Sequence, residues 1–423
     1  MRLGFVNYAR RPTRETPIND AVARFILGGY LIWKTVWYDW NEVLETPFLP
    51  YQNYSLLIPE SATVLIVEKY LLVVTLLAFI LGYRLRLSAF GSALLVSHLG
   101  VVRYVYNTSG GVTSLFIATY FLVFFGLYHH RSELSLDGVR RTRNEQLSAL
   151  VGRLKSSARE TYRMDTLRWN LLIFAVIYFG SGFDKLLQSG LAWIGSENLS
   201  RIIVVQDFLY EQTLPIGSSE VATPFGVWMV QYPELVWAST VGTLVVELGL
   251  LPAALLGVSI TPLVLGLYGM TTVIWLTMGI LFGDVYIFVA MFFTWDVVYE
   301  RLVRDRELDL VFDERCFFCA RSLYLFKLLD VNDTVNFYTQ SDAPARYRNR
   351  DGVDFEDAMY VFDDGTAHRG YGAFRRLLDQ FRVFTVFVWL MRLSPVEQVG
   401  ERVYRYVADN RSRYFVCGVD ADS

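Results

Sequence analysis

Apolar residues gather in long runs before about Tyr299 and give way afterwards to shorter, polar-interrupted stretches. A bilayer core requires about 20 apolar helical residues, because 1.5 Å of rise per residue must cover roughly 30 Å. About eight runs approach that length. They are Ala21–Trp37, Ser61–Leu81, Ser88–Tyr104, Gly111–Tyr128, Leu167–Ser181 (continuing to Leu187), Glu234–Leu256, Ile260–Ile280 and Leu281–Val298. Only Gly279, Gly283 and Asp284 signal a turn between the last two. Beyond Arg301 the pattern predicts strands at Leu308–Asp313, Thr334–Thr339 and Ala358–Phe362. A hairpin turn at Asp363–Asp364–Gly365 leads into Ala367–Arg369. Helices are expected over Ala320–Leu329 and Gly370–Gln380, giving the order β-α-β-β-β-α.

Composition agrees with this division. The chain has 423 residues, of which 53% are hydrophobic and 19% charged, with a mean hydropathy of +0.31. Soluble domains average about a quarter charged. A net charge of −3 offers no basic excess for a nucleic acid. Three cysteines cannot form a secreted disulfide framework. The expectation is therefore a polytopic α-helical membrane bundle over residues 1–300 and a small α/β thioredoxin-like domain over residues 301–423.

Basic residues orient the bundle. They concentrate in the N-terminal segment, at Arg84 and Arg86, and in the stretch His129–Arg168, whereas Tyr38–Glu60 holds no Lys or Arg. By the positive-inside rule, an even number of spans puts both termini in the cytoplasm of a multi-pass cell-membrane protein. No cleavable signal peptide is expected, since the first residues carry arginines and no compact apolar core. Leu147, Leu150, Val151 and Leu154 recur at helical spacing and predict an amphipathic helix on the inner membrane surface.

Ionisable residues within apolar runs are costly and therefore informative. Arg24, Lys34, Glu68, Lys69 and Arg103 can snorkel or pair near an interface, and His98 reads as a satisfied interior histidine. Lys185 lies about 24 Å along its helix, and Glu247 lies near mid-membrane. The two could face one cavity, or Lys185 could form a structural ion pair with Asp184 or Glu247.

The string Ile177–Tyr178–Phe179–Gly180–Ser181–Gly182–Phe183–Asp184–Lys185–Leu186, followed by Trp193–Ile194–Gly195, resembles a segment of the HTTM and vitamin K-dependent gamma-carboxylase family. Arg103 with Asn107–Gly111, and Glu247 in its Val-Val-Glu-Leu-Gly stretch, extend the resemblance over most of residues 20–300. The resemblance implies that Lys185 acts as a base toward a membrane quinone, with Tyr178, Trp193, Glu247 and Arg103 as binding residues. The family's histidine is replaced here within Ser109–Gly111, and no large domain for a peptide substrate follows, which argues against peptide carboxylation.

In the C-terminal part, strand Leu308–Asp313 runs into Cys316–Phe317–Phe318–Cys319 at the start of a helix. A C-x-x-C pair in that context points to redox chemistry, because the helix dipole and unpaired amides favour a thiolate on Cys316. Cys319 would resolve the mixed disulfide. A zinc site would need His368 and Cys417 as further ligands, and no metal cluster is expected. Two readings stay open beside the redox one: idle cysteines on a retained fold, and a partly buried thiol at Cys417.

The Asp313, Cys316, Cys319 signature and the ending Tyr404–Cys417 resemble the DCC (DUF393) thiol-disulfide oxidoreductase family over residues 308–417. Thioredoxins carry a cis-proline opposite their cysteines, and no proline stands directly before the strand at Ala358 here. The apolar segment Val383–Leu393 is too short to span a bilayer and is expected to pack within the domain, with the membrane surface as the alternative. The function expected is thiol–disulfide exchange with a thiol protein or small thiol, coupled to a quinone or lipid substrate. Alternatives are a lipid-binding scaffold for the DCC module and carboxylase-like quinone chemistry.

Overall fold

The computed structural model describes residues 16–37, 62–106, 112–156, 165–195, 197–203, 224–355 and 357–414. The long helices are α1 (Pro17–Trp37), α2 (Ala62–Leu81), α3 (Leu85–Tyr106), α4 (Val112–Leu127), and, after short α5 (Leu136–Arg141) and α6 (Leu147–Lys155), α7 (Asp165–Ser189). Then come α8 (Pro224–Met229), α9 (Pro233–Leu256), α10 (Thr261–Met278), α11 (Gly283–Ala290) and α12 (Trp295–Glu300). Each long helix packs on the next, α4 on α7 and α7 on α9, and α11 closes the ring on α1. Phe79, Phe121, Phe125, Phe174, Phe288 and Phe292 fill the interior. Their outward counterparts are apolar as well: Val74 is 62% and Leu94 is 71% exposed. A helix apolar on all sides needs an apolar environment outside as well as inside.

Among the described residues, five helices are long and apolar enough to cross a membrane: Thr63–Leu81, Leu85–Val102, Thr166–Ile194, Pro233–Leu256 and Thr261–Met278. The expected count of about eight spans is thus not confirmed among the described residues. Val112–Leu127 is too short at 16 residues. Leu281–Val298 is not one helix but α11 and α12, separated at Met291–Thr294. The break is stabilised by side chains: Trp295 Nε1 donates to the Ala290 carbonyl at 2.7 Å, and Asn19 accepts from the Asp296 amide at 2.9 Å.

The C-terminal part is a small α/β domain. Strand β1 (Leu308–Phe312) leads through α13 (Phe317–Leu329) to β2 (Val335–Thr339). After α14 (Ala345–Arg348), β3 (Tyr360–Asp363) and β4 (Thr366–Arg369) form a hairpin, followed by α15 (Gly370–Asp379), α16 (Thr385–Met391) and α17 (Ser394–Tyr414). The sheet order is β2-β1-β3-β4, with β1 parallel to β2 and antiparallel to β3. A parallel neighbour requires a crossover, which α13 supplies. Every residue of β1 is buried, as befits a central strand covered on both faces.

The two parts are held together at α6. Leu150 and Leu154 are buried in one cluster with Leu323, Tyr324 and Leu328 of α13. The amphipathic helix expected on the membrane surface therefore turns its apolar stripe onto the C-terminal domain, where a complementary helix face is available. Around it, Arg153 bridges Glu133 (3.1 Å) and Glu145 (2.8 Å) and lies 4.4 Å over the Tyr324 ring. Tyr324 donates to Glu133 at 2.9 Å, and burial, reinforced by the Glu133 charge, pushes its phenol far above the usual range. It stays a neutral donor.

Lys155 bridges Asp342 at 2.5 Å. Burial opposes the charge on Asp342, but hydrogen bonds from Lys155 and Thr339 outweigh it and hold the carboxyl below its usual range. A carboxylate whose folded pKa is lowered adds stability above its unfolded value of about 3.9 and loses it as pH falls through the lower folded value. Docking of α6 should accordingly be indifferent between pH 7 and 5 and loosen only below about pH 4. Pepsin cleavage within residues 129–156 should rise there in the parent protein. Lys155→Met should flatten the acid dependence, by no more than about 1 kcal/mol for so exposed a pair.

Candidate functional site

Two chemically distinct centres occur. The first is the C-x-x-C motif. Cys316 is the N-cap of α13, in extended conformation, and its Sγ accepts the Cys319 amide at 3.2 Å. Sulfur thus takes the place usually held by Ser, Thr or Asp, accepting one of the amides a helix start leaves without an internal partner. The donor and the positive end of the dipole both favour the thiolate over the thiol.

Asp313 supports the turn from both ends: its carbonyl accepts the Cys316 amide at 3.2 Å and its carboxylate accepts the Arg315 amide at 2.9 Å. Glu314 is tied to Ser341, whose hydroxyl donates at 2.6 Å. That bond holds the Glu314 carboxyl below the usual range against a smaller burial penalty. The loop between β1 and α13 is thereby fastened to the end of β2.

The two cysteines are thiols, not a disulfide; Cys316 is buried and Cys319 part-exposed. An exposed Cys316 with a sheltered resolving Cys319 would suit the roles expected from the sequence better. Phe317 and Cys319 pack against the domain core. Among the described residues no peptide bond is cis. His368 lies on β4, and Cys417 falls outside the described residues.

The second centre is a cavity of about 720 Å³ inside the helical ring, lined by residues of α1, α4, α7, α9, α10 and α11. Lys185 forms an ion pair with Glu247, and Ser181 bonds both, at 3.1 Å to Lys185 Nζ and 3.3 Å to Glu247 Oε1. Asp184, the other partner considered, accepts instead from Gln188 at 2.8 Å. Glu247 is 3% exposed, and its Oε2 has no hydrogen-bond partner among the described residues. Lys185 Nζ lies 5.6 Å over the Trp193 ring, and Tyr178 lines the cavity with its ring 4.8 Å from that of Phe174. The structure therefore brings together Lys185, Glu247, Tyr178 and Trp193. Arg103 sits in the last turn of α3, and its side chain lies outside the described residues.

Gly182 makes this arrangement possible. A Cβ there would sit 2.9 Å from Glu247 Cβ and 3.1 Å from Leu248, so α7 and α9 meet only because this position has no side chain.

A second ion pair in the same cavity escaped the sequence reading. Lys34 bonds Asp284 at 3.0 Å, and Tyr30 and Ser114 complete the cluster. Two opposite charges, each isolated in an apolar run, were a usable pairing signal. Asp284 read as a turn residue instead because it stands beside Gly283. Glu68 and His98 likewise pair, at 2.7 Å.

Set against known families, residues 310–417 match the DCC1-like thiol-disulfide oxidoreductase family. That stretch contains all of the sheet but the first two residues of β1, together with the C-x-x-C motif and α13. No curated protein and no solved structure matches the chain.

Proposed function

We propose that the chain is a membrane-embedded thiol–disulfide redox protein, in which the Cys316/Cys319 pair exchanges electrons with a quinone-like molecule held in the bundle cavity. The observation that carries the redox half is the Cys319 amide donating to Cys316 Sγ at a helix start. The family match over residues 310–417 supports it. The quinone half rests on the HTTM resemblance of residues 20–300 and on the cavity's chemistry. Apolar walls enclose a buried ion pair with an unused acceptor, Glu247 Oε2, available to a ligand hydroxyl. The volume suits one drug-sized molecule.

The exchange balances as the dithiol losing two electrons and two protons to become the disulfide while a quinone gains both to become the hydroquinone. The two centres do not touch. Ile18 at the start of α1 packs with the C-terminal domain's core, and Lys34 near its end lines the cavity. That separation is about 24 Å of helix, so a mobile carrier, the quinone itself or a small thiol, must connect them. In this reading the bundle sits in the cell membrane with the C-terminal domain on the cytoplasmic side.

The test is quinone reduction, followed by absorbance, in liposomes containing the full chain and a dithiol donor. The rate should depend on both the cysteine pair and Lys185. Equal rates for the parent, Lys185→Ala and Cys316→Ser/Cys319→Ser would refute the coupling. The burial of Cys316 favours one second reading, in which the bundle is a lipid-binding scaffold carrying idle thiols; there the same assay gives no turnover above protein-free liposomes.

A further inference from the structure

The C-terminal domain has an apolar face that its own core does not use. In α16 only Val388 and Met391 are buried. Val386 (73% exposed), Phe387 (53%) and Trp389 (60%) point outward, joined by Val383 and Leu390. Helix α17 packs on α16 and carries an apolar stripe of its own, Val396, Val399 and Val403, spaced to fall on one side and all exposed. A contiguous patch of this kind on a soluble domain marks a contact surface, whereas scattered exposed apolar residues do not. The expectation that Val383–Leu393 packs within the domain thus holds for one side of the helix only.

The face has a defined position relative to the bundle. The Arg382 amide donates to the Leu302 carbonyl at 2.7 Å, Val303 and Phe381 form a β-bridge, and the Arg304 amide donates to Gln380 at 2.9 Å. Gln380 Nε2 in turn donates to the carbonyls of Arg304 and Arg306. The segment that opens the apolar face is therefore stitched to the chain just after α12 leaves the bundle. Residues 382–393 carry Arg382 and Arg392 and no acid. An apolar helix of seven residues, too short to span, with Trp and Phe outward and arginines at both ends, has the composition of an element lying flat in a lipid interface.

We propose that this face docks on the bilayer surface, with Val386, Phe387 and Trp389 among the outer acyl chains and Arg382 and Arg392 at anionic headgroups. The docking rests on the reading that the bundle is embedded in a membrane. It adds a second attachment for the domain beside α6. The C-terminal domain is then a peripheral module pressed against the leaflet on the side where Leu302 emerges, not a globule held by one linker.

The test uses the full chain in nanodiscs containing anionic lipid, with the photo-crosslinking residue p-benzoylphenylalanine placed at Phe387, at Leu94 on the outward face of α3, or at exposed Arg350. Irradiation followed by intact-mass measurement should give single-lipid adducts at 387 and 94 and none at 350. Arg382→Glu with Arg392→Glu should lower the adduct yield at 387 by about fivefold or more, at roughly 1 kcal/mol per basic residue near a charged leaflet. A lipid adduct at 94 with none at 387 would overturn the docking and leave the embedding intact. Covalent dimers at 387 would also overturn it, assigning the face to a second copy of the chain. Absence of adducts at both 94 and 387 would remove the membrane reading itself, and the docking with it.

Discussion

A Cys316→Ser protein is expected to fold as the parent does and to lose its thiol–disulfide turnover entirely. The position is the N-cap of α13, with Sγ accepting the Cys319 amide at 3.2 Å. Serine is among the preferred N-cap residues and can accept the same amide, so stability should change by less than about 1 kcal/mol. The reactive sulfur is gone, and a serine hydroxyl does not ionise in the accessible range to replace it. Cys319→Ser separates the roles of the two thiols. If Cys316 is the attacking group, this variant should accumulate a mixed disulfide with an added small disulfide, because nothing remains to resolve it. Mass spectrometry of the trapped adduct and thermal unfolding of both variants give the two readouts. Labelling at 319 in Cys316→Ser, with none at 316 in Cys319→Ser, would reverse the assignment and fit the burial of Cys316.

Glu247→Ala should markedly destabilise the bundle interior. Glu247 is 3% exposed and pairs with Lys185, whose side chain is 22% exposed. Removing one member of a buried pair leaves the other charge without compensation, at a cost of about 3–5 kcal/mol. Lys185 lies partly open to the cavity, which places the expected loss near about 3 kcal/mol. Replacing both members with apolar residues of similar size, Lys185→Met with Glu247→Leu, should recover most of it, because the desolvation penalty goes with the charges. Thermal unfolding in nanodiscs is the measurement. If the double variant is as unstable as Glu247→Ala, the pair is not what stabilises the α7–α9 contact. Close packing at Gly182 would then carry it alone.

Much of the architecture could be read from residue patterns, for reasons that differ between the two parts. The strands over residues 308–312, 335–339, 360–363 and 366–369 were legible because alternation and the Asp363–Asp364–Gly365 turn are local signals. Cys316 and Cys319 stood out because a strand followed by C-x-x-C and a helix is itself a short-range pattern. In the bundle, helices α2, α3, α7, α9 and α10 matched long apolar runs, whereas the break between α11 and α12 did not. Met291–Thr294 contains no proline or glycine; besides the local Trp295 bond to Ala290, the break uses an Asn19 bond to Asp296 that crosses the fold.

Partner choice was the harder problem. That α6 would meet α13 and not lipid, that Lys185 would choose Glu247 over its neighbour Asp184, and that Lys34 would find Asp284 are all settled by contacts between residues far apart in the chain. The exposed side of α16 belongs to the same group: the segment is apolar throughout, and only the packed domain distinguishes Val388 and Met391 inside from Phe387 and Trp389 outside. Periodicity, turn chemistry and the cysteine motif act within a few residues, so the linear order of amino acids is enough to specify elements and the kind of chemistry they carry. Which surfaces of those elements face one another depends on burial shared among distant segments, and no window of the chain contains that information.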